Sequence, residues 1–270
     1  MKKSVAESSE YIDKSIIYEY LEDFSDIYNI DVSIKDTVET TSREFNVQDV
    51  KEGDVKISLA EYQTHGRGRG NQVWYSPFAS GICLSVFSKL NIRSIPLGLS
   101  VYMGVMLINS LEKMSFKDIK LKWPNDLFYQ GCKLGGMLVE LSQNKNGDLI
   151  ANFGLGINYS LPENFYKLID SHYNPIDLRA INNNHEYSRS EIIGILVCEI
   201  IKRIKEFDTN SIEEIKERWK ELDYLYSKKI KINTGDESII GVNEGIDSEG
   251  ALLIKQGRNI KRIISGHIEI

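Results

Sequence analysis

Two arginines alternate with three glycines in the segment GRGRG at residues 66–70, and no acidic residue occurs from Thr64 to Trp74. A guanidinium group is a planar fork of donors that stays charged, and glycine lets the backbone approach a ligand closely. The pattern therefore suits a loop that wraps a phosphate or a carboxylate. Composition alone favours a solvated basic turn, and an RGG-like nucleic-acid tail is another alternative. Trp74 and the SPF run at 76–78 favour the loop, because a lid needs apolar bulk when it closes.

The common phosphate-binding motifs do not occur in this chain. It has no GxxxxGK followed by Ser or Thr, and GLGIN at 154–158 lacks the third glycine of a dinucleotide fingerprint. The VAIK, HRD and DFG segments of a protein kinase are also missing. P-loop, Rossmann and kinase chemistry are therefore disfavoured.

A second segment, KWPND at 122–126, is followed at close range by KLGG at 133–136 and then by Glu140. EYQ at 61–63, GRGRG, Trp74, SPF and GLGIN accompany it. With these motifs, in this order, the chain resembles the biotin protein ligases, also called biotin–[acetyl-CoA-carboxylase] ligases. The likeness covers about residues 32–270, and KWPND close to KLGG is far more selective than a glycine-rich loop.

The resemblance implies a reaction in two steps. Enzymes of this family join the biotin carboxylate to the α-phosphate of ATP, release pyrophosphate, and pass biotin from biotinyl-5'-AMP to one lysine of a carrier protein. The implied ligands are biotin, ATP and Mg²⁺, which helps neutralise the triphosphate. The implied partner is the biotin carboxyl carrier protein of acetyl-CoA carboxylase, and other biotin enzymes stay open as acceptors.

The resemblance also assigns roles to residues of this chain. Lys133, Arg67 and Arg69 are the expected cations of the reacting centre, and Asp126 is expected to deprotonate or orient the acceptor amine. The glycine loop is expected to order over the adenylate and to exclude water. The expected biotin contacts are Thr40, Thr41, Ser42, Gln63, Arg67, Gly68, Arg69, Lys133, Gly135 and Gly136. The expected nucleotide contacts are Arg67, Arg69, Trp74, Lys122, Asn125, Lys133 and Asn158, with Tyr173 as a candidate ring for adenine.

Two positions depart from the family pattern. At 40–42 the family usually has Ser, Thr and Asn, whereas this chain has Thr, Thr and Ser, so a hydroxyl replaces an amide. Gln72 stands where the family loop often has a third arginine, and it is expected to hold phosphate more weakly. Without the family, ETTSRE at 39–44 also fits a helix N-cap with Glu44 near the capping-box position. A cap and a ligand contact are compatible in one turn.

Hydrophobic periodicity predicts a mixed α and β fold. Apolar residues spaced by three and four between Ile16 and Phe24 predict one short amphipathic helix, and further helices fit 98–114, 188–207 and 211–222. Ser188 or Ser190 is the expected N-cap of the third helix, and Trp219 is expected to be a packing residue. Alternation from Val55 to Leu59 predicts a strand. Further strands are predicted at 81–90, 118–129, 133–143 and 149–159.

After Leu222 the chain changes to short β runs separated by turns, the pattern of a small all-β barrel. We therefore expect an α+β protein with a short helical extension over 1–30, a mixed-sheet catalytic domain of the biotin/lipoate protein ligase type over 31–222, and a C-terminal SH3-like β barrel over 223–270. About thirty residues before the match are too few for the winged helix-turn-helix of bifunctional repressors. A monofunctional ligase is the expectation.

The composition agrees with an ordinary globular protein. There are 33 basic and 39 acidic residues, a formal net charge of −6, and 41% hydrophobic residues. No apolar run approaches the roughly 18 residues of a membrane span, and no secretory signal is readable. A cytoplasmic protein without specific DNA binding, either a monomer or a weak homodimer, is expected. Its three cysteines and four histidines show neither disulfide nor metal spacing.

Two other functions stay open from the sequence. A lipoate or octanoate ligase shares the expected fold and the activation of a carboxylate, although KWPND with GRGRG favours biotin. A non-catalytic biotin- or nucleotide-binding module could use the arginine loop for phosphates without chemistry. Only an enzyme would release pyrophosphate when given the acid and ATP.

Overall fold

The computed structural model describes residues 10–70, 72–90, 98–163, 165, 174–208, 210–235 and 237–269. Within these ranges the chain forms a seven-stranded mixed sheet with helices packed against it, and a separate five-stranded antiparallel sheet. The expected α+β architecture is confirmed. The three segment limits given above stay a prediction, and Tyr173 lies outside the described residues. None of the described helices is both long and apolar enough to span a membrane.

The larger sheet has the strand order β1-β2-β3-β7-β6-β5-β4. Its first two strands run parallel and its other neighbours run antiparallel. Strand β3, which lies between β2 and the central strand β7, is buried over almost its whole length, as its apolar sequence predicts. The strands are β1 (Asn29–Val38), β2 (Asp54–Gln63), β3 (Gly81–Lys89), β4 (Lys120–Lys122), β5 (Asp126–Tyr129), β6 (Cys132–Gln143) and β7 (Leu149–Asn158).

Helices α2 and α4 supply much of the apolar layer against this sheet. The side chain of Ser188 accepts from the Glu191 amide and the Glu191 carboxylate accepts from the Ser188 amide, so Ser188 is the N-cap of α4 in a capping box. Trp219 is fully buried, which confirms its predicted packing role. The helices are α1 (Lys14–Ser25), α2 (Leu99–Lys113), α3 (Leu178–Ile181), α4 (Arg189–Glu206) and α5 (Ser211–Leu222).

The predicted strand over 118–129 is not continuous. A turn at Trp123, Pro124 and Asn125 divides it into β4 and β5, which pair with each other as a hairpin. A proline cannot donate to a strand ladder, so the chain reverses where the sequence has WPN. The turn places Lys122 and Asp126 opposite each other.

The smaller sheet has the order β11-β10-β9-β8-β12. It is joined to the larger one through buried polar contacts: Asn243 Nδ2 donates to Asp223 Oδ2 at 2.8 Å, and Trp123 Nε1 donates to the Gly250 carbonyl at 3.1 Å. Burial raises the pKa of Asp223, and the hydrogen bonds from Leu225 and Asn243 oppose that shift. The strands are β8 (Lys229–Asn233), β9 (Ser238–Ile246), β10 (Leu252–Gln256), β11 (Asn259–Ile263) and β12 (His267–Glu269).

A buried ion pair fastens the segment before α1 to the sheet. Arg189 is fully buried and pairs with Glu61 on β2, which is 2% exposed. Glu61 Oε1 also accepts from the Ile12 amide at 2.6 Å, and the Arg189 amide donates to Glu10 Oε1 at 2.9 Å. These contacts fix the start of the described chain beside the strand that carries Gln63.

We expect Glu61→Ala to lower the free energy of unfolding by about 3 to 5 kcal/mol, because it leaves the Arg189 guanidinium buried and unpaired. Urea denaturation measures this loss. The matched control is Glu213→Ala, which removes an exposed pair with Lys216 and should cost less than about 0.5 kcal/mol. Equal losses in the two variants would contradict the role given to the buried pair.

Candidate active site

A cavity of about 900 Å³ opens between the central strands of the larger sheet, the GRGRG segment and the edge of the smaller sheet. This size is in the range of sites for small-molecule ligands. Among the described residues, every site residue predicted from the sequence lines it except Gly135. Residues separated by more than a hundred positions in the chain therefore meet at one place.

Gly135 is the exception, and its strand position explains why. A Cβ at this residue would collide with the Gly156 carbonyl of the neighbouring strand β7. Gly135 therefore permits the close approach of two backbones, whereas Gly136 lines the cavity. The prediction that Gly135 contacts biotin is not supported by its position.

Three glycines form the floor of the cavity. Gly136 on β6 lies directly opposite Gly156 on β7, and Gly154 lies two residues further along β7. The indole of Trp74 rests on Gly156, where a Cβ would come within 2.6 Å of Trp74 Cε2. Trp74 Nε1 is buried and has no hydrogen-bond partner among the described residues.

The GRGRG segment forms a narrow hairpin rather than the irregular loop that its composition predicts. The Gly68 amide donates to the Gln72 carbonyl at 2.8 Å, and the Trp74 amide donates to the Gly66 carbonyl at 3.0 Å. Arg67 and Val73 form an isolated antiparallel β-bridge. Cross-strand bonds satisfy backbone groups that glycines would otherwise leave to water. The described residues of this hairpin, 66–70 and 72–74, supply side chains that line the cavity, and we call them the arginine hairpin.

The segment 40–42 forms a polar turn at one end of the cavity. Gln63 Oε1 accepts from the Thr41 amide at 2.9 Å and from the hydroxyls of Thr41 and Thr40 at 3.2 and 3.3 Å. Ser85 Oγ donates to Thr41 Oγ1 at 2.9 Å. The turn begins a short 3-10 helix, and Thr40 makes no side-chain cap bond. Gln63 therefore holds this turn, and Ser85, which sequence reasoning missed, lies beneath it.

The KWPND and KLGG segments place a carboxylate beside a lysine. Lys133 Nζ lies 2.9 Å from Asp126 Oδ1, on adjacent strands. Asn125 is buried and its amide donates to the Met137 carbonyl. Asn158 Nδ2 donates to the Ile176 carbonyl at 3.0 Å, and its Oδ1 is buried without a partner among the described residues. Asn158 therefore has an acceptor atom that a ligand amine can use.

Lys122 is the most buried of the four cations that line the cavity, and Arg69 is partly buried. Lys122 is 2% exposed, its Nζ donates to the Ile268 carbonyl of β12 at 3.0 Å, and it lies over the Phe128 ring at 5.8 Å. Burial lowers the pKa of Lys122 to about 8, against an opposing effect of Asp126. Burial also lowers the pKa of Arg69, and Asp126 again opposes the shift.

Arg67 differs from Arg69 because it has a carboxylate of its own. Its Nη2 lies 2.8 Å from Glu140 Oε1, and its Nη1 donates to Glu140 Oε2 at 3.0 Å, a two-point contact. Glu140 therefore occupies donors of Arg67 that the sequence analysis assigned to the ligand. The described residues that line the cavity include four cations, Arg67, Arg69, Lys122 and Lys133, and one carboxylate, that of Asp126.

The smaller sheet contributes a wall that the sequence analysis missed. Its residues come from the turn after β8 and from the approach to β12, and they include the exposed His267. Turn-like sequences such as NTG and SGH carry no signal that distinguishes a ligand wall from an ordinary loop. The wall comprises Asn233, Thr234, Gly235, Ser265, Gly266, His267 and Ile268.

A cation-lined cavity over a mixed sheet, closed by an arginine hairpin and a second antiparallel sheet, defines an enzyme-type site for an anionic small molecule. The chain matches the model of the biotin/lipoate A/B protein ligase family over residues 32–158 and the model of the biotin protein ligase C-terminal domain over residues 228–270. It is 33% identical over 226 residues to the bifunctional ligase/repressor BirA of Escherichia coli strain K12, covering 83% of this chain and 68% of that protein. The chain therefore belongs to the biotin protein ligases of this family.

Other relatives give the same classification. The biotin–[acetyl-CoA-carboxylase] ligase of Paracoccus denitrificans is 25% identical over 199 residues, which are 73% of this chain and 82% of that protein. The structure of a biotin protein ligase from Aquifex aeolicus in complex with biotin and ATP superposes with a TM-score of 0.72 at 27% identity, covering 88% of this chain and 97% of that chain.

Gly156→Ala should displace the Trp74 indole from the floor of the cavity, because the added methyl group has no space beneath the ring. We expect a red shift of tryptophan emission and weaker ligand binding, with the fold retained. Gly154→Ala is the control on the same strand, since its nearest neighbour, the Leu138 carbonyl, would be 3.3 Å away. An unshifted emission spectrum in Gly156→Ala would contradict the placement of Trp74.

Proposed function

We propose that this chain is an ATP-dependent ligase that activates biotin as biotinyl-5'-AMP, with release of pyrophosphate, and transfers biotin to a lysine of a carrier protein. One observation carries the proposal: the cations Arg69, Lys122 and Lys133 surround the same cavity whose other end is the polar turn 40–42. An acid with a polar head group fits between them with its carboxylate among the cations. The Aquifex aeolicus relative supports this reading, since its structure is described as a complex with biotin and ATP.

The first step must bring two anions together. A biotin carboxylate approaching the α-phosphate of ATP is repelled until positive groups offset the charge that develops. Lys133 and Arg69 are the groups we assign to the carboxylate and the α-phosphate, because both line the cavity and both interact with Asp126. Partial burial strengthens their effect, since the local dielectric constant is lower than that of water.

The remaining contacts follow from position in the cavity. We assign the ureido ring of biotin to Thr40, Thr41, Ser42 and Gln63, where hydroxyl and amide groups converge and the ring can exchange hydrogen bonds. We assign the nucleotide to Trp74, Asn125, Lys122 and Asn158, of which Asn158 has a buried acceptor oxygen available. Gly68 and Gly136 provide backbone surface along the ligand.

Water has to be kept from the intermediate, because an acyl adenylate is a reactive mixed anhydride. The arginine hairpin and Trp74 cover part of the glycine floor, and we assign them to keep water from an adenylate bound beside the indole. This arrangement retains the intermediate until an acceptor lysine arrives.

The second step needs an acceptor amine that has lost its proton. Asp126 is the carboxylate of the cavity lining, and we assign it to receive or orient that proton at its Oδ atoms, which also contact Lys133. The proposed acceptor is the biotin carboxyl carrier protein of acetyl-CoA carboxylase. Mg²⁺ belongs to the proposal as part of the substrate MgATP, because this ion usually binds through substrate phosphates. A cytoplasmic location and a monomeric or weakly dimeric state stay predictions.

The proposal is tested by pyrophosphate release from ATP and Mg²⁺ with biotin, lipoate or octanoate as the acid. We expect release with biotin but not with lipoate or octanoate, and transfer of biotin when a carrier domain is added. Lys133→Ala should reduce the release by at least about a hundredfold while the fold survives, because the lysine acts on developing charge. Release only with lipoate or octanoate would replace the substrate within the same family, and release with none of the acids would leave a binding module.

The pH dependence should report Lys122. Its ammonium group is present below about pH 8, so kcat/KM for ATP should fall above that pH, by up to about tenfold per unit, as the positive charge is lost. Between about 8 and the ordinary value of 10.5 the folded chain binds fewer protons here than the unfolded chain, so this group stabilises the fold as pH rises. Deprotonation of Lys122 therefore does not destabilise the fold, and the decrease in kcat/KM above pH 8 is not caused by unfolding at this group.

Lys122→Gln should give a lower kcat/KM for ATP that no longer falls above pH 8. Lys120→Gln is the control: its Nζ donates to the Glu221 carbonyl at 2.8 Å, outside the cavity, and its profile should match that of the unaltered protein. An unchanged decline in Lys122→Gln would assign the titration to another group.

A further inference from the structure

Four side chains form a connected network at the end of the cavity where the polar turn lies. We call Ser42, Arg67, Glu140 and Asn152 the end network. Glu140 makes the two-point contact with Arg67, and Arg67 Nη1 also donates to Ser42 Oγ at 3.3 Å. Asn152 Nδ2 donates to the Ser42 carbonyl at 3.0 Å and to Glu140 Oε2 at 3.3 Å. The network therefore joins the arginine hairpin, the polar turn and two strands.

The two strand residues are the fixed part of the network. Glu140 on β6 and Asn152 on β7 lie directly opposite each other, one pair beyond Val139 and Phe153 in a ladder that continues through the glycine floor. Ser42 and Arg67 lie instead on a turn and a hairpin, which have fewer backbone bonds to the sheet. Rigid strands thus add a side-chain link between two segments whose neighbours His65 and Glu39 are already joined by a backbone hydrogen bond of 2.8 Å.

The contact with Glu140 also reduces the positive charge that Arg67 adds to the cavity. A guanidinium group in a two-point contact with a carboxylate is directed by that partner, and the pair as a whole is close to neutral. Arg67 and Glu140 are 36% and 31% exposed at their side chains, so the contact is only partly screened by water. Arg69 lies two residues away and has its nearest coupling to Asp126 instead.

We propose that Glu140, supported by Asn152, is a positioning residue that fixes Arg67 and thereby holds the arginine hairpin against the polar turn. Arg67 anchors the hairpin, and Arg69 is the arginine whose positive charge acts on the reacting groups. Biotin bound at the polar turn and the hairpin that covers it then move as one unit. The kinetic consequences rest on the proposed ligase function, whereas the anchoring itself does not.

Limited trypsin digestion of the ligand-free protein tests the anchoring without any activity. Trypsin must take an arginine side chain into its own pocket, so an ion-paired Arg67 on a held hairpin resists cleavage. Glu140→Gln should speed cleavage at Arg67 and Arg69 by about tenfold, the worth of a charged hydrogen bond, while the melting temperature changes by less than about 3 °C.

The control variant for digestion is Glu39→Gln. It removes a carboxylate near the same turn that pairs with the exposed Arg43 at 3.1 Å. Glu39→Gln should leave the cleavage rate at Arg67 unchanged. Equal rates for Glu140→Gln and the unaltered protein, or the same acceleration in both variants, would overturn the anchoring role.

A double-mutant cycle tests the consequence for the reaction. Glu140→Gln and Arg67→Gln should each raise KM for biotin about tenfold and speed the loss of bound biotinyl-5'-AMP, with a smaller effect on kcat. The KM of the double variant should be no higher than that of either single variant, because the two substitutions break the same contact. Arg67→Glu combined with Glu140→Arg should recover part of the loss.

Additive effects in the cycle, or a fall in kcat with KM unchanged, would overturn the positioning role and return Arg67 to the reacting centre. Absence of pyrophosphate release from the unaltered protein with biotin would instead overturn the proposed function. In that case the digestion rates alone decide whether Glu140 anchors the hairpin.

Discussion

The site depends on the close approach of two strands that have no side chains where the ligand must lie. Gly136 and Gly156 are paired across β6 and β7, whose backbones are about 4.8 Å apart, so the floor of the cavity is bare peptide. The Trp74 indole descends onto this floor because Gly156 has no Cβ. A methyl group at this position would lift the hairpin and change the height of the cavity. The rest of the site is arranged around the part of the cavity above these glycines, which we call the slot, and the absence of their side chains sets its depth.

Positive charge is then concentrated around the slot, and three of its cations are held by partners of two kinds, carboxylates and a backbone carbonyl. Lys133 contacts a carboxylate, Lys122 contacts a carbonyl of the smaller sheet, and Arg67 contacts Glu140. A partner that is a carbonyl compensates less of the positive charge than a carboxylate does. Burial lowers the pKa of Lys122 and Asp126 opposes the shift, so an arriving anion restores interactions that burial removed. The smaller sheet thus helps to build the cavity, since a carbonyl of its last strand accepts a hydrogen bond from one of the lining cations.

The sequence predicts the parts of this structure that are local. Periodicity identifies the helices and most strands, Ser188 with Glu191 predicts the start of α4, and the motifs bring together all but one of the expected lining residues that the structure describes. It fails where a property depends on what lies across space. Gly135 and Gly136 are adjacent and chemically identical, yet only strand register decides which one meets the cavity. The wall from the smaller sheet was missed for the same reason, because its contacts are made by turns with no distinguishing residue type.

The two arginines of the hairpin show how register separates residues that look equivalent. Arg67 is bound to Glu140 on β6, whereas Arg69 is coupled to Asp126, which pairs with Gly136 of that same strand. Four residues of strand separate Gly136 from Glu140, which is roughly 13 Å. The hairpin therefore lies along the length of the slot, with one arginine at each end. The sheet neutralises the arginine nearer the polar turn. Arg69 stays where, under the proposed function, a carboxylate and a phosphate would meet. The positions of Glu140 and Asp126 on the strands therefore determine which arginine anchors the hairpin and which one is available to the ligand.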